Sequence, residues 1–161
     1  MIVLAIDPAN KQTAYTLIRS TTNEILDKGL IPNEDMLSLV ESLEFDCMAI
    51  EIIVNMGVTG ATLFLTAEMI GKLCYIAEKR GKDVIRVKRT DVKKHFNVKR
   101  VINGKKAPNA DSQIRTSLIN KYGEVGTKNN QGYFYGFKAD IWQSMAVYDF
   151  VKENNYVDND T

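Results

Sequence analysis

Ile2-Val3-Leu4-Ala5-Ile6-Asp7-Pro8 is the stretch that decides the reading of this chain. Five consecutive apolar residues, stopped by Asp-Pro, describe a strand buried on both faces. A carboxylate in such a strand loses much of its water and must be paired or bound to a cation. The pattern recurs in Cys47-Met48-Ala49-Ile50-Glu51-Ile52-Ile53-Val54, where Glu51 interrupts a second apolar run. A third acid, Asp140, falls just inside a helix expected over residues 139–147. Each acid alone is ordinary as a strand-end cap, an ion-pair partner or a helix-start acid favoured by the dipole. Three on three buried elements point to one metal site.

Outward from the first strand, residues 13–18 and 25–30 read as two more strands, with turn chemistry at Pro8-Ala9-Asn10 and Thr22-Asn23. Met36, Leu37, Leu39, Val40 and Leu43 recur at helical spacing and lead into the Glu51 strand. After a loop over 55–60 comes a long helix to about Arg80, and then a last strand over 84–87. Helices near 90–96 and 109–122 flank a basic loop over 98–108, and 123–138 holds too much Gly and Asn for regular structure. A three-strand meander followed by alternating helix and strand predicts an α/β fold, a mixed five-stranded sheet flanked by helices on both faces. The order is ribonuclease H-like: the first strand is central and the Glu51 strand lies beside it, so the two acids meet. The expected organisation is one domain over 1–152 and a flexible polar tail over 153–161.

A chain of 161 residues that is 45% hydrophobic suits one domain with a full core. No run approaches the roughly 20 apolar residues of a membrane span, and the N-terminal run meets an acid too soon for a secretory signal. The expectation is a cytoplasmic protein without membrane contact. Cys47 and Cys74 have no cysteine near them and read as core fillers. The net charge of +1 hides a concentration: residues 79–106 hold twelve Lys and Arg against only Asp83 and Asp91. Such a segment is either a solvated face or the footprint of nucleic acid. Lys88, Arg89, Lys93, Lys94, Lys99, Arg100, Lys105 and Lys106 are the candidate phosphate contacts.

Two Mg²⁺ ions roughly 4 Å apart activate a water and stabilise the leaving oxygen of a phosphodiester, given hard oxygen ligands on rigid elements. Asp7, Glu51 and Asp140 meet that need, and Mn²⁺ would substitute. Gln143 and Ser144 share the helical face of Asp140, so Gln143 is a further candidate ligand, though an uncharged one. Asp111, near the start of its helix, is the other.

The first string, the Ala49-Ile50-Glu51 strand end and the Asp140 helix together resemble the RuvC-type Holliday junction resolvases. Asn109-Ala110-Asp111-Ser112-Gln113-Ile114-Arg115 and Tyr135-Gly136-Phe137-Lys138-Ala139-Asp140-Ile141-Trp142 resemble their bacteriophage branch. The resemblance runs over about residues 1–151. The first motif is shared with actin-like sugar kinases and pre-ribosomal RNA nucleases; the motifs in order are specific. The resemblance implies a homodimer that nicks opposed strands of branched DNA, with Asp7, Glu51 and Asp140 as metal ligands. The chain departs from the bacterial members in three places. Gln143 stands where they have a fourth carboxylate, Ala9 and Ala14 replace glycines, and Val54, Asn55 and Met56 occupy the region of an aromatic wedge. Met56 is accordingly a candidate DNA contact.

His95, the only histidine, has no visible partner and reads as a surface or phosphate-contact residue. In the long helix Leu63, Phe64, Ala67, Ile70, Leu73, Cys74 and Ala77 read as core, while Leu65, Met69, Tyr75 and Ile76 form a surplus apolar face. In the resembled family this helix contributes to the dimer interface. Trp142 reads as core, and Tyr133, Phe134, Tyr135 and Phe137 as anchors of their loop. The leading function is a Mg²⁺-dependent endonuclease for four-way and related branched DNA. The alternatives are a junction-binding protein that does not cut and an RNA-processing nuclease of the same fold. An actin-like phosphotransferase is disfavoured, since it needs a second domain and glycine-rich phosphate loops.

Overall fold

The computed structural model describes residues 1–54, 57 and 60–157. Strands β1 (Ile2–Pro8), β2 (Gln12–Arg19) and β3 (Glu24–Pro32) form the meander, and helix α1 (Asn33–Ser42) crosses to β4 (Cys47–Ile52). Helix α2 (Ala61–Lys79) crosses to β5 (Asp83–Lys88), after which come α3 (Arg89–His95) and a two-residue hairpin, β6 (Val101–Ile102) with β7 (Lys105–Lys106). Helix α4 (Ala110–Tyr122), a second small hairpin, β8 (Gly126–Thr127) with β9 (Asn130–Gln131), and helix α5 (Ile141–Glu153) complete the chain. The main sheet has the order β3-β2-β1-β4-β5. The β1–β2 and β2–β3 pairs are antiparallel, and β1–β4 and β4–β5 are parallel. This is the expected mixed five-stranded sheet with β1 at its centre.

The pleat explains why β1 and β4 are apolar without alternation. Successive side chains point to opposite faces, and both faces are covered. Val3 and Ala5 of β1, with Cys47 and Ala49 of β4, pack under α4 and α5 together with Ile114, Leu118, Met145 and Tyr148. Leu4 and Ile6, with Met48 and Ile50, pack under α1 and α2 against Met36, Val40, Met69 and Leu73. Asp7 continues the first series and Glu51 the series of Cys47 and Ala49, so both carboxylates emerge on the α5 face. The parallel register, Val3 with Cys47 through Ile6 with Ile50, then sets them side by side.

Helix α5 is buried on almost every side from Ile141 to Val151. Ser144 fixes it: its hydroxyl donates to the Ile141 carbonyl (2.8 Å) and accepts from Thr16 of β2 (2.7 Å). Phe134 and Phe137 are buried against Trp142, and Tyr133 stacks on Tyr122 at 5.4 Å, so these three loop aromatics act as anchors. Cys47 and Cys74 are buried and free. Two expectations need correction. Phe64 and Ala67 of α2 are exposed while Met69 is buried, because the helix presents its Met69-Leu73-Cys74-Ala77 stripe to the sheet. The packed chain also passes the boundary expected at 152: α5 runs through Glu153, Val157 is buried in the core and Tyr156 stacks on Phe150. Among the described residues no helix is long and apolar enough to cross a membrane.

Candidate active site

Beyond the ends of β1 and β4 lies a cavity of about 300 Å³ whose lining includes Asp7, Glu51, Ile70, Arg89 and Lys93. A cavity of about 260 Å³ carries Asp111, Asp140 and Gln143, with Arg115 and Trp142. Asp140 is the residue before α5 rather than inside it, and its carbonyl accepts from the backbone N–H of Gln143 (2.9 Å) and Ser144 (3.1 Å). Ala139, immediately before it, has φ 44°, a left-handed conformation uncommon for a residue with a side chain.

The two cavities are joined by a residue that sequence reasoning assigned to phosphate contact. Arg89 donates from Nη1 to Oε1 of Gln143, lies 3.5 Å from Oε2 of Glu51, and donates from Nη2 to Oδ1 of Asp111. One guanidinium therefore holds three of the five candidate ligands. A sequence signal existed: in the β4–β5 register Glu51 pairs with Val87 and Ile52 with Lys88, so residue 89 emerges beside Glu51 at the same sheet edge. The side chain's reach across to α4 and α5 had no such signal.

Burial pushes the Asp7 carboxyl well above its ordinary pKa, and repulsion from Glu51 and Asp140 adds to this, partly opposed by Arg89. Burial also raises Glu51, against the attraction of Arg89. No described residue donates a hydrogen bond to the carboxylate of Asp7 or Asp140. The donors are hard oxygens in a site that demands positive charge, which in kind suits Mg²⁺ or Mn²⁺. In arrangement the acids are spread: among the described residues no three His, Cys, Asp or Glu side chains converge as metal ligands.

The basic segment forms an open groove of about 630 Å³, lined by Lys93, Lys94, Lys99, Arg100 and Lys106. Lys93, one helical turn after Arg89, lines both this groove and the Glu51 cavity. Lys88 and Lys105 are exposed. Among the described residues none of these seven makes an ion pair, whereas Arg80, Arg86 and Arg89 do. The hairpin is clamped to α4 by Gln113, which accepts from the Lys99 N–H and donates to the Lys99 and Pro108 carbonyls. His95 is not a surface residue without partners: its Nε2 lies 2.8 Å from Oδ2 of the buried Asp149. That carboxylate also accepts from Lys121 Nζ (2.6 Å) and the Tyr122 hydroxyl. The network ties α3 to α4 and α5. Met56 lies outside the described residues.

No family model and no curated protein matches the sequence. Solved structures do. Thermus thermophilus RuvC superposes with a TM-score of 0.63 at 12% identity, over 96% of this chain and 97% of that one. The same protein in complex with Holliday junction substrate gives 0.60 at 12% identity, over 96% of each. The yeast mitochondrial Holliday junction resolvase gives 0.52 at 15% identity, over 93% of this chain and 75% of that one. At these identities the likeness is one of architecture, and with the sheet order above it gives this chain the ribonuclease H-like fold in its RuvC form.

Proposed function

We propose that this protein is a metal-dependent, structure-selective endonuclease that binds and nicks four-way junctions and related branched DNA. Under this reading it acts as a homodimer in the cytoplasm, in the recombination or processing of phage DNA. The observation that carries the reading is the continuity between the acid cavity and the unpaired basic groove, with Lys93 common to both. A duplex arm seated by its phosphates along that groove is led toward Asp7 and Glu51. The fold shared with Holliday junction resolvases supports the same conclusion.

Asp7, Glu51 and Asp140 would hold Mg²⁺, for which Mn²⁺ would substitute. A bound cation supplies a water of lowered pKa and positive charge for the phosphate. Lys93 orients the arm, and the Gln113 clamp keeps the hairpin lysines at the groove edge. The exposed Phe64, Leu65 and Tyr75 of α2 offer an apolar surface for a second copy of the chain.

A second reading, a junction-binding protein that does not cut, is favoured by the spread of the acids and by Arg89's hold on Glu51. A panel of four-way, forked and flapped DNA, with structured RNA as a further arm, separates the readings. Paired nicks in junction DNA that require Mg²⁺ or Mn²⁺ are expected. Tight binding without nicks would leave the non-cutting reading, and preferential cleavage of RNA would give an RNA-processing enzyme.

A further inference from the structure

The candidate ligands divide into two sets by what they already touch. Glu51, Asp111 and Gln143 are engaged by Arg89, whereas the carboxylates of Asp7 and Asp140 accept no hydrogen bond from any described residue. Gln143 is nearly inaccessible, 5% exposed, and its amide oxygen is taken by the guanidinium. A neutral amide oxygen is a poorer ligand for a hard dication than a carboxylate, yet it is a good acceptor for a planar N–H fork. A second divalent ion on the Gln143 side would have to displace the guanidinium from Oε1 of Gln143 and Oδ1 of Asp111, which it already occupies.

We infer that Arg89 is itself the second cation of this site. Asp7, Glu51 and Asp140 take one divalent ion, and the guanidinium, seated on Glu51, Gln143 and Asp111, fills the place of another. Asp111 and Gln143 are then positioning residues for Arg89 rather than ligands. With five N–H donors, Arg89 has capacity left for a phosphate oxygen of the bound strand. This rests on the metal-dependent reading above and changes its ion count.

The test is Mn²⁺ binding to the full chain without DNA, read by ion stoichiometry and by electron paramagnetic resonance, which separates an isolated Mn²⁺ from a magnetically coupled pair. The wild type should bind one isolated ion per chain. Arg89→Ala should bind two, with coupled spectra, and Arg89→Lys, which keeps the charge, should return to one. A coupled pair in the wild type, or a single isolated ion in a folded Arg89→Ala, would overturn the inference and leave the nuclease reading standing. No bound Mn²⁺ in the wild type would overturn both. If circular dichroism shows Arg89→Ala unfolded, the neutral and longer Arg89→Gln takes its place: a coupled pair in it supports the inference, and a single isolated ion overturns it.

Discussion

At the scale of single residues, Asp7 is a carboxylate held where a carboxylate is expensive. Burial, with Glu51 and Asp140 nearby, raises its pKa in the folded protein, so the folded state binds that proton more tightly than the unfolded state does. The contribution of Asp7 to stability is therefore greatest below the ordinary carboxylate pKa and is lost as the pH rises through the raised value. Metal-free protein at neutral pH should be destabilised by the charge. Asp7→Asn should accordingly melt higher than the wild type in a chelator at neutral pH, by about 2–4 °C for each kcal/mol relieved. The gain should vanish at low pH, and added Mg²⁺ should raise the wild type more than the variant. Thermal denaturation in the two media checks this, and a variant that melts lower in both would show Asp7 to be a structural partner. That Asp7 and Glu51 share a face of the sheet was legible because strand alternation fixes which face a residue serves. The reach of Arg89 to Asp111 and Gln143 was not, because these partners lie 22 and 54 residues away and a long side chain carries no periodicity.

Elements set the groove. Burial alone would raise the Asp149 carboxyl, but hydrogen bonds from His95, Lys121 and Tyr122 outweigh it and hold the pKa below the ordinary value. A depressed pKa contributes stability above the unfolded value, and this is lost as the pH falls through the folded one. Asp149→Ala leaves three donors facing an empty buried position and should cost about 3–5 kcal/mol in urea denaturation. A cost below about 1 kcal/mol would mean that the network is solvated. The tether keeps α3, with Arg89 and Lys93, at a fixed distance from α5. Replacing Lys99 and Arg100, or Lys105 and Lys106, by Ala in pairs should weaken binding to duplex arms. The slope of log K against log salt should become shallower by about 0.9 for each phosphate that is no longer neutralised; an unchanged slope would make them a solvated face. The basic segment was visible as composition. The role of His95 was hidden because Asp149 lies 54 residues away. The face of α2 was misassigned because a helix apolar nearly all round does not say which stripe meets the sheet.

For the whole molecule, the order of the strands follows from the sequence because a meander and two crossovers leave few right-handed ways to build one mixed sheet. Assembly does not follow in the same way. Phe64, Leu65 and Tyr75 are 65%, 51% and 64% exposed on α2, and if a second copy covers them, Phe64→Glu should shift the sedimentation profile from dimer to monomer at micromolar concentration. A wild type that is already monomeric there would rule out this surface as a dimer interface. Nicking opposed strands needs two such sites, so the monomeric variant should release single nicks in place of paired ones. The most direct test of the nuclease reading is the cleavage of a mobile four-way DNA junction in Mg²⁺ by the wild type and by Asp7→Asn, with binding measured alongside. The wild type should make paired, metal-dependent nicks, and the variant should bind tightly without nicking. Equal cleavage by both, or no cleavage by the wild type in either Mg²⁺ or Mn²⁺, would contradict it.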